Sequence, residues 1–241
     1  MDKINLFCFP FAGGSSYSYQ LFKGLINRNI ELLTLELPGR GTRMQEPLLR
    51  DLNQIAGELM HALANRLNQP YALYGHSMGA LLGFLVTKRI IKAGLREPLH
   101  LFVSGCRGPS VKLPNPPLSA LSSEELIMEL KEMGGSPNEV LEEETFYTLF
   151  EPILRADFQA VETYRYEESE PMAIPLTAMF AVEDDITEEE VMAWQRETVK
   201  RITLKRFTGK HFFIFNHQSA ITRLINHQLV GQRKDHIGHL S

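Results

Sequence analysis

Residues 75–79 read Gly75-His76-Ser77-Met78-Gly79, and two apolar runs flank them. Tyr71-Ala72-Leu73-Tyr74 precedes the pentapeptide, and Ala80-Leu81-Leu82-Gly83-Phe84-Leu85-Val86 follows it. The short run before has the length of a buried strand, and the longer one after has the length of a helix. The spacing therefore predicts a strand, a sharp corner at Ser77 and a helix. Such a corner pushes the serine Oγ outward and crowds the backbone, which is why glycine stands on either side of it. The first helical residue, Met78, has an amide with no acceptor inside the helix, free to face developing negative charge.

A serine nucleophile needs a base and a group to orient that base. Downstream, the strand-like run Ile174 to Val182 ends in Glu183-Asp184-Asp185. A second run, Ile202 to Phe207, is followed by Thr208-Gly209-Lys210-His211. Serine, acid and histidine then follow the chain order of an α/β-hydrolase triad, with acid and base each just past a strand end. In this reading His211 takes the Ser77 proton, and one carboxylate holds the imidazole. Taken singly, an acidic cluster after a strand reads as a solvated loop and His211 as a packed histidine; their order and placement favour the triad. Of the three adjacent acids only one can face His211; Asp185 is the first choice and Asp184 the second. A second oxyanion donor is expected from Pro10-Phe11-Ala12-Gly13-Gly14-Ser15-Ser16, after the apolar run Ile4 to Phe9. Paired glycines there let the backbone turn tightly, and Ala12 or Phe11 supplies the amide, Ala12 being preferred. The loop lacks both the dinucleotide and the Walker A patterns.

These pieces together resemble the external (type II) thioesterases of nonribosomal peptide and polyketide synthases. The matching segments are Phe9-Pro10-Phe11-Ala12-Gly13-Gly14; Glu36-Leu37-Pro38-Gly39-Arg40-Gly41 with Arg43 and Glu46; Gly75 to Ala80; Leu154-Arg155-Ala156-Asp157; and Gly209-Lys210-His211-Phe212-Phe213. The resemblance implies an α/β-hydrolase fold that hydrolyses acyl thioesters from the phosphopantetheine arm of an acyl or peptidyl carrier protein, without a cofactor. It also implies a setting in secondary-metabolite biosynthesis. Ser77 carries over as nucleophile, His211 as base and Asp185 as acid. One departure is visible: Ala181-Val182-Glu183 stands where the family has one or two glycines before its acidic pair. The alternatives are an esterase of small oxygen esters and a non-catalytic carrier-binding scaffold. The intact Ser77, His211 and acidic turn weigh against the scaffold.

The chain has 241 residues, 44% hydrophobic and 22% charged, and a net charge of −4. That length suits one α/β domain, and the charge argues against nucleic acid as a partner. Cys8 and Cys106 have neither disulfide nor metal spacing and read as small buried residues of a reducing compartment. No run approaches the ~18 apolar residues of a membrane span, and the N-terminus lacks the pattern of a signal peptide. The expectation is a cytoplasmic monomer with no membrane partner and no metal.

Strands alternating with helices predict a mostly parallel sheet covered on both faces. The expected helices include Tyr17 to Asn27, one capped by Asp51, one ending near Ala93, and Gln218 to Val230; Ile30 to Leu37 is an expected strand. From 108 to 170 the pattern changes. Pro109, Pro114, Pro116 and Pro117 open the segment, and consecutive helices follow over 124–133, 138–149 and 151–164. A helical insert of this kind reads as a lid. Met128, Met133, Phe146, Phe150 and Phe158 are expected mostly as lid core, with two or three lining an acyl pocket. His76 reads as a packed histidine below the corner, and His217, His227, His236 and His239 lack metal spacing. Lys88, Arg89, Lys92 and Arg96 read as charges favourable near a helix C-terminus rather than as a docking patch. The polar tail 231–241 is expected to fray.

Overall fold

The structure is a computed structural model that describes residues 3–112, 117–135, 141, 143 and 145–231. Six strands form one parallel sheet: β1 (Ile4–Phe9), β2 (Ile30–Thr34), β3 (Tyr71–His76), β4 (Leu101–Ser104), β5 (Leu176–Ala181) and β6 (Thr203–Phe207). Their spatial order is β2-β1-β3-β4-β5-β6. The chain moves outward from β1 to β2, then returns to the other side of β1 for β3. A reversal of that kind opens a crevice at the carboxyl ends of β1 and β3. The loop after β1 and the corner after β3 both lie there.

Strand side chains alternate between two cores. In β1, Phe7 and Phe9 join one cluster, while Ile4, Leu6 and Cys8 join the other. In β5, Ala178 and Phe180 face the first, and Met179 and Ala181 the second. Period-two alternation with both faces apolar is what a sheet covered on both sides requires. Helices α1 (Leu52–Leu63) and α2 (Met78–Lys92) cover the first face. Asp51 caps α1 by accepting the Gln54 amide at 2.8 Å. Leu52, Ile55, Ala56, Leu59 and Leu63 are all buried, at the 3.6-residue period of an amphipathic helix.

Between β4 and β5 the described residues contain no strand. They form α3 (Ser123–Met133) and α4 (Glu151–Thr163), with a single π turn over Phe146–Phe150. Ser122 and Glu125 make a capping box at the start of α3. This insert has a small core of its own, built on Leu126, Ile127, Leu130 and Leu154. Pro114, Pro116 and residues 138–140, 142 and 144 of the expected 138–149 helix lie outside the described residues. A short helix α5 (Glu188–Met192) precedes β6, and α6 (Gln218–Asn226) closes the second face with a π turn to Gly231. The tail 232–241 lies outside the described residues.

Two expectations change. Tyr17 to Asn27 holds only a 3-10 turn at Gln20–Phe22 rather than a helix. Tyr19 is buried with its hydroxyl donating to the Phe9 carbonyl at 2.8 Å, and Ser18 Oγ accepts the Ser15 amide at 2.9 Å. Those anchors oppose a continuous helical ladder. Strand β2 stops at Thr34 rather than Leu37, because its one neighbour, β1, turns away after Phe9.

Candidate active site

Ser77 is the only non-glycine among the described residues with positive φ, at 54°. Its ψ is −121°, and its amide donates to the Ser104 carbonyl at the end of β4 at 2.8 Å. Backbone of this kind costs on the order of 1–3 kcal/mol in a residue with a Cβ and persists only where neighbours enforce it. The flanking glycines show how. A Cβ on Gly75 would overlap the Gly79 carbonyl, and one on Gly79 would overlap the Phe9 carbonyl. The G-x-S-x-G pattern is thus a packing requirement: α2 starts directly against β3 and the end of β1.

The corner delivers Ser77 Oγ to His211 Nε2 at 3.0 Å. His211 lies in the turn after β6, where Gly209 takes a φ of +99°. Phe213 and Ile214 bury themselves beneath it, and Phe212 packs edge-on against the imidazole. His211 is therefore held by its neighbours while its own ring stays partly open, with 14% of the side chain exposed.

The acid facing His211 is Asp184, not the expected Asp185. His211 Nδ1 donates to Asp184 Oδ2 at 2.9 Å, and the Asp184 side chain is only 7% exposed. The reason is the turn after β5. The Asp184 amide donates to the Ala181 carbonyl at 3.3 Å, which closes a tight turn and aims the fourth residue at His211. Asp185 lies one step further on with its side chain exposed, and its amide donates to Asp184 Oδ1 at 2.9 Å. Glu183 plays a different part. Its carboxylate accepts the Gly209 amide at 2.9 Å, and its amide donates to the Gly209 carbonyl at 3.2 Å, so the acid turn is joined to the histidine turn.

His76 is fully buried under the corner, with Nδ1 against Ser104 Oγ at 3.0 Å and its ring 5.1 Å from that of His211. Burial first, and the neighbouring His211 second, push its pKa well below the ordinary histidine value, so it stays neutral. Its ring bonds to Ser104 and not to Ser77, in keeping with the packed histidine the sequence suggested.

Met78 is the first residue of α2 and is buried beside the corner. Across the crevice, Gly13 has a φ of +74°, and the Gly14 amide donates to the Phe11 carbonyl at 2.8 Å, so the loop carrying Phe11 and Ala12 folds into a tight turn. A cavity of about 830 Å³ opens from Ser77 and His211. Its walls come from residues 105–112 after β4 and from Gln159 and residues 161–166 at the end of α4 and beyond, with Met78, Leu81 and Ile186. Met128, Met133, Phe150 and Phe158 are not among its walls. Met133 and Phe158 pack in the insert's own core, while Met128 and Phe150 are exposed. The side chain of Phe146 lies outside the described residues.

Two features went unread in the sequence. Arg107 donates to the Asp185 carbonyl at 2.8 Å and pairs with Glu190, which braces the acid turn from β4. Arg40 and Asp157 form a buried ion pair beside the glycine loop. Both residues fell within recognised motifs or beside a strand end, but sequence separation hid their partners. Of the basic residues at and just after the end of α2, Lys88 donates to the Glu170 carbonyl, Arg89 to the Asn53 carbonyl and Arg96 to the Asn68 carbonyl. Among the described residues no helix is long and apolar enough to cross a membrane.

The family model for the thioesterase domain matches residues 4–229. The gramicidin S biosynthesis protein GrsT of Aneurinibacillus migulanus is 32% identical over 228 residues, which are 94% of this chain and 89% of that protein. Among solved structures, the RedJ thioesterase from the prodiginine pathway of Streptomyces coelicolor superposes with a TM-score of 0.87 at 31% identity, covering 95% of this chain and 86% of that one. The type II thioesterase BorB from the borrelidin cluster gives a TM-score of 0.87 at 34% identity, covering 94% and 93%. The family model's match over residues 4–229, together with these likenesses along nearly the whole chain, identifies the protein as a member of the thioesterase family, a hydrolase of thioesters.

Proposed function

We propose that the protein removes acyl groups from the phosphopantetheine arm of acyl or peptidyl carrier proteins, clearing stalled units from a synthase. The observation that carries this reading is the relay from Asp184 through His211 to Ser77 at the mouth of the cavity. The likeness to GrsT and to BorB supports the carrier-bound substrate.

The chemistry follows from the distances. Ser77 Oγ attacks the thioester carbonyl carbon and passes its proton to His211 Nε2. Asp184 holds Nδ1 protonated, which leaves Nε2 free to accept, and stabilises the imidazolium. The carbonyl oxygen becomes an oxyanion, held by the amides of Met78 and Ala12. Collapse breaks the C–S bond, and the departing sulfur takes the proton from Nε2 to leave as a thiol. Water then attacks the acyl–Ser77 ester, gives a proton to Nε2, and the second collapse returns that proton to Ser77 and frees the acid. The insert acts as a lid whose α4 end sets the cavity wall, and the protein works as a monomer in the cytoplasm.

The test is hydrolysis of acetyl- and longer-acyl-phosphopantetheinyl carrier protein by wild type and Ser77→Ala. Free acid from wild type alone supports the reading. Turnover of p-nitrophenyl esters with no release from the carrier would refute the carrier-bound substrate.

A further inference from the structure

Arg40 and Asp157 are separated by 117 positions and meet in the interior. Arg40 Nη1 and Nη2 donate to the two carboxylate oxygens at 2.5 and 2.7 Å. The side chains are 4% and 0% exposed. Removing two charges from water costs several kcal/mol each, and an apolar pair of similar volume often serves stability as well or better. The pair's value is therefore sought in what it positions. Asp157 Oδ2 also accepts the Gly13 amide at 2.8 Å, and Arg40 Nη1 donates to the Gly14 carbonyl at 3.3 Å. The pair thus grips both glycines of the loop after β1, one by its N–H and the other by its carbonyl. The grip is reinforced by packing: a Cβ on Gly13 would meet Leu154 of α4 at 2.7 Å. Asp157 belongs to α4, the same helix whose far end, from Gln159 to Thr163, walls the cavity.

We propose that Arg40 and Asp157 are positioning residues for the oxyanion site: they hold the Gly13–Gly14 turn so that the Ala12 amide faces the reacting carbonyl, and they make that alignment depend on α4 being seated. This rests on the assignment of Ala12 as a donor. Neither side chain touches substrate. Their effect belongs to the tetrahedral state, where charge appears on oxygen, rather than to substrate binding.

The experiment compares wild type, Asp157→Asn and the double variant Arg40→Met/Asp157→Leu, using butyryl-coenzyme A and a trifluoromethyl ketone thioether that forms a tetrahedral adduct with serine. The double variant removes both charges together, so it avoids an unpaired buried arginine and keeps its fold. Both variants are expected to lose about 10- to 100-fold in kcat with KM within about threefold, less than deletion of a donor would cost. Ketone affinity falls by the same factor as kcat. Amide exchange at Gly13 speeds up at least about tenfold in both, a readout that needs no turnover. A double variant that melts near wild type and recovers full kcat would overturn the proposal, as would a raised KM at constant kcat or unchanged Gly13 exchange. Failure of the thioesterase reading itself is read separately, from wild type against Ser77→Ala.

Discussion

Replacing Asp184 by Asn, with Asp185→Asn as its partner experiment, distinguishes adjacent carboxylates that differ only in where the turn points them. Asp184 sits 2.9 Å from His211 Nδ1 and is 7% exposed. During attack by Ser77 the imidazole becomes positive, and the carboxylate faces it across charge centres about 4 Å apart. At an effective dielectric of about 20 that pair is worth about 4 kcal/mol, or roughly 10³ in rate. An asparagine also loses control of the tautomer, so the expected loss in kcat for Asp184→Asn is about 10³- to 10⁴-fold. KM stays within about threefold, since the charge matters only once the proton has moved. Asp185 offers its backbone to the site, through its carbonyl to Arg107 and its amide to Asp184, and both survive mutation of the side chain. Asp185→Asn is therefore expected within about threefold of wild type, in line with an exposed surface change. Thiol release from acyl-coenzyme A, followed by a chromogenic disulfide, measures both. Equal losses in the two variants, or a larger loss for Asp185→Asn, would refute the assignment.

Three further outcomes are expected. Gly75→Ala should unfold the corner, since its Cβ would overlap the Gly79 backbone, and neither soluble active enzyme nor a wild-type melting curve should be recovered. Ser77→Gly and Ser77→Ala should both abolish turnover, yet the glycine variant should melt about 2–4 °C higher, because it alone relieves the strain of φ +54° at a cost near 1 kcal/mol; equal melting points would show that the corner stores no strain. His100, buried against Thr177 and Phe102, has its pKa pushed down to about 4 by burial. Above pH ~6.5 it is neutral in both states; between there and about 4 only the unfolded chain takes up the proton, so stability falls with falling pH by up to about 1.4 kcal/mol per unit. Chemical denaturation across that window should show a shallower slope in His100→Gln, and an unchanged slope would refute the linkage.

The strand–corner–helix at Ser77, the helix period of α1 with its Asp51 cap, and the order of serine, acid and histidine were legible in the residues alone. These depend on local chemistry: steric demands of a corner, side-chain periodicity, and caps that bond within four residues. The sequence also placed His76 below the corner, because neighbours on a turn diverge. What escaped it depended on direction or distance. Which of two adjacent aspartates faces His211 follows from a single turn bond between Asp184 and Ala181, and shifting that turn by one residue would exchange their roles. The Tyr17–Asn27 segment lost its helix to tertiary anchors at Tyr19 and Ser18. The cavity walls came from the end of α4 and the loop after β4 rather than from the aromatic and methionine residues of the insert, since Met133 and Phe158 pack in the insert's own core and Met128 and Phe150 face solvent. Arg40 and Asp157 show the limit most plainly. Each residue was visible in its motif, but a contact spanning 117 positions is set by how the sheet and insert close on one another, and no local pattern encodes that closure.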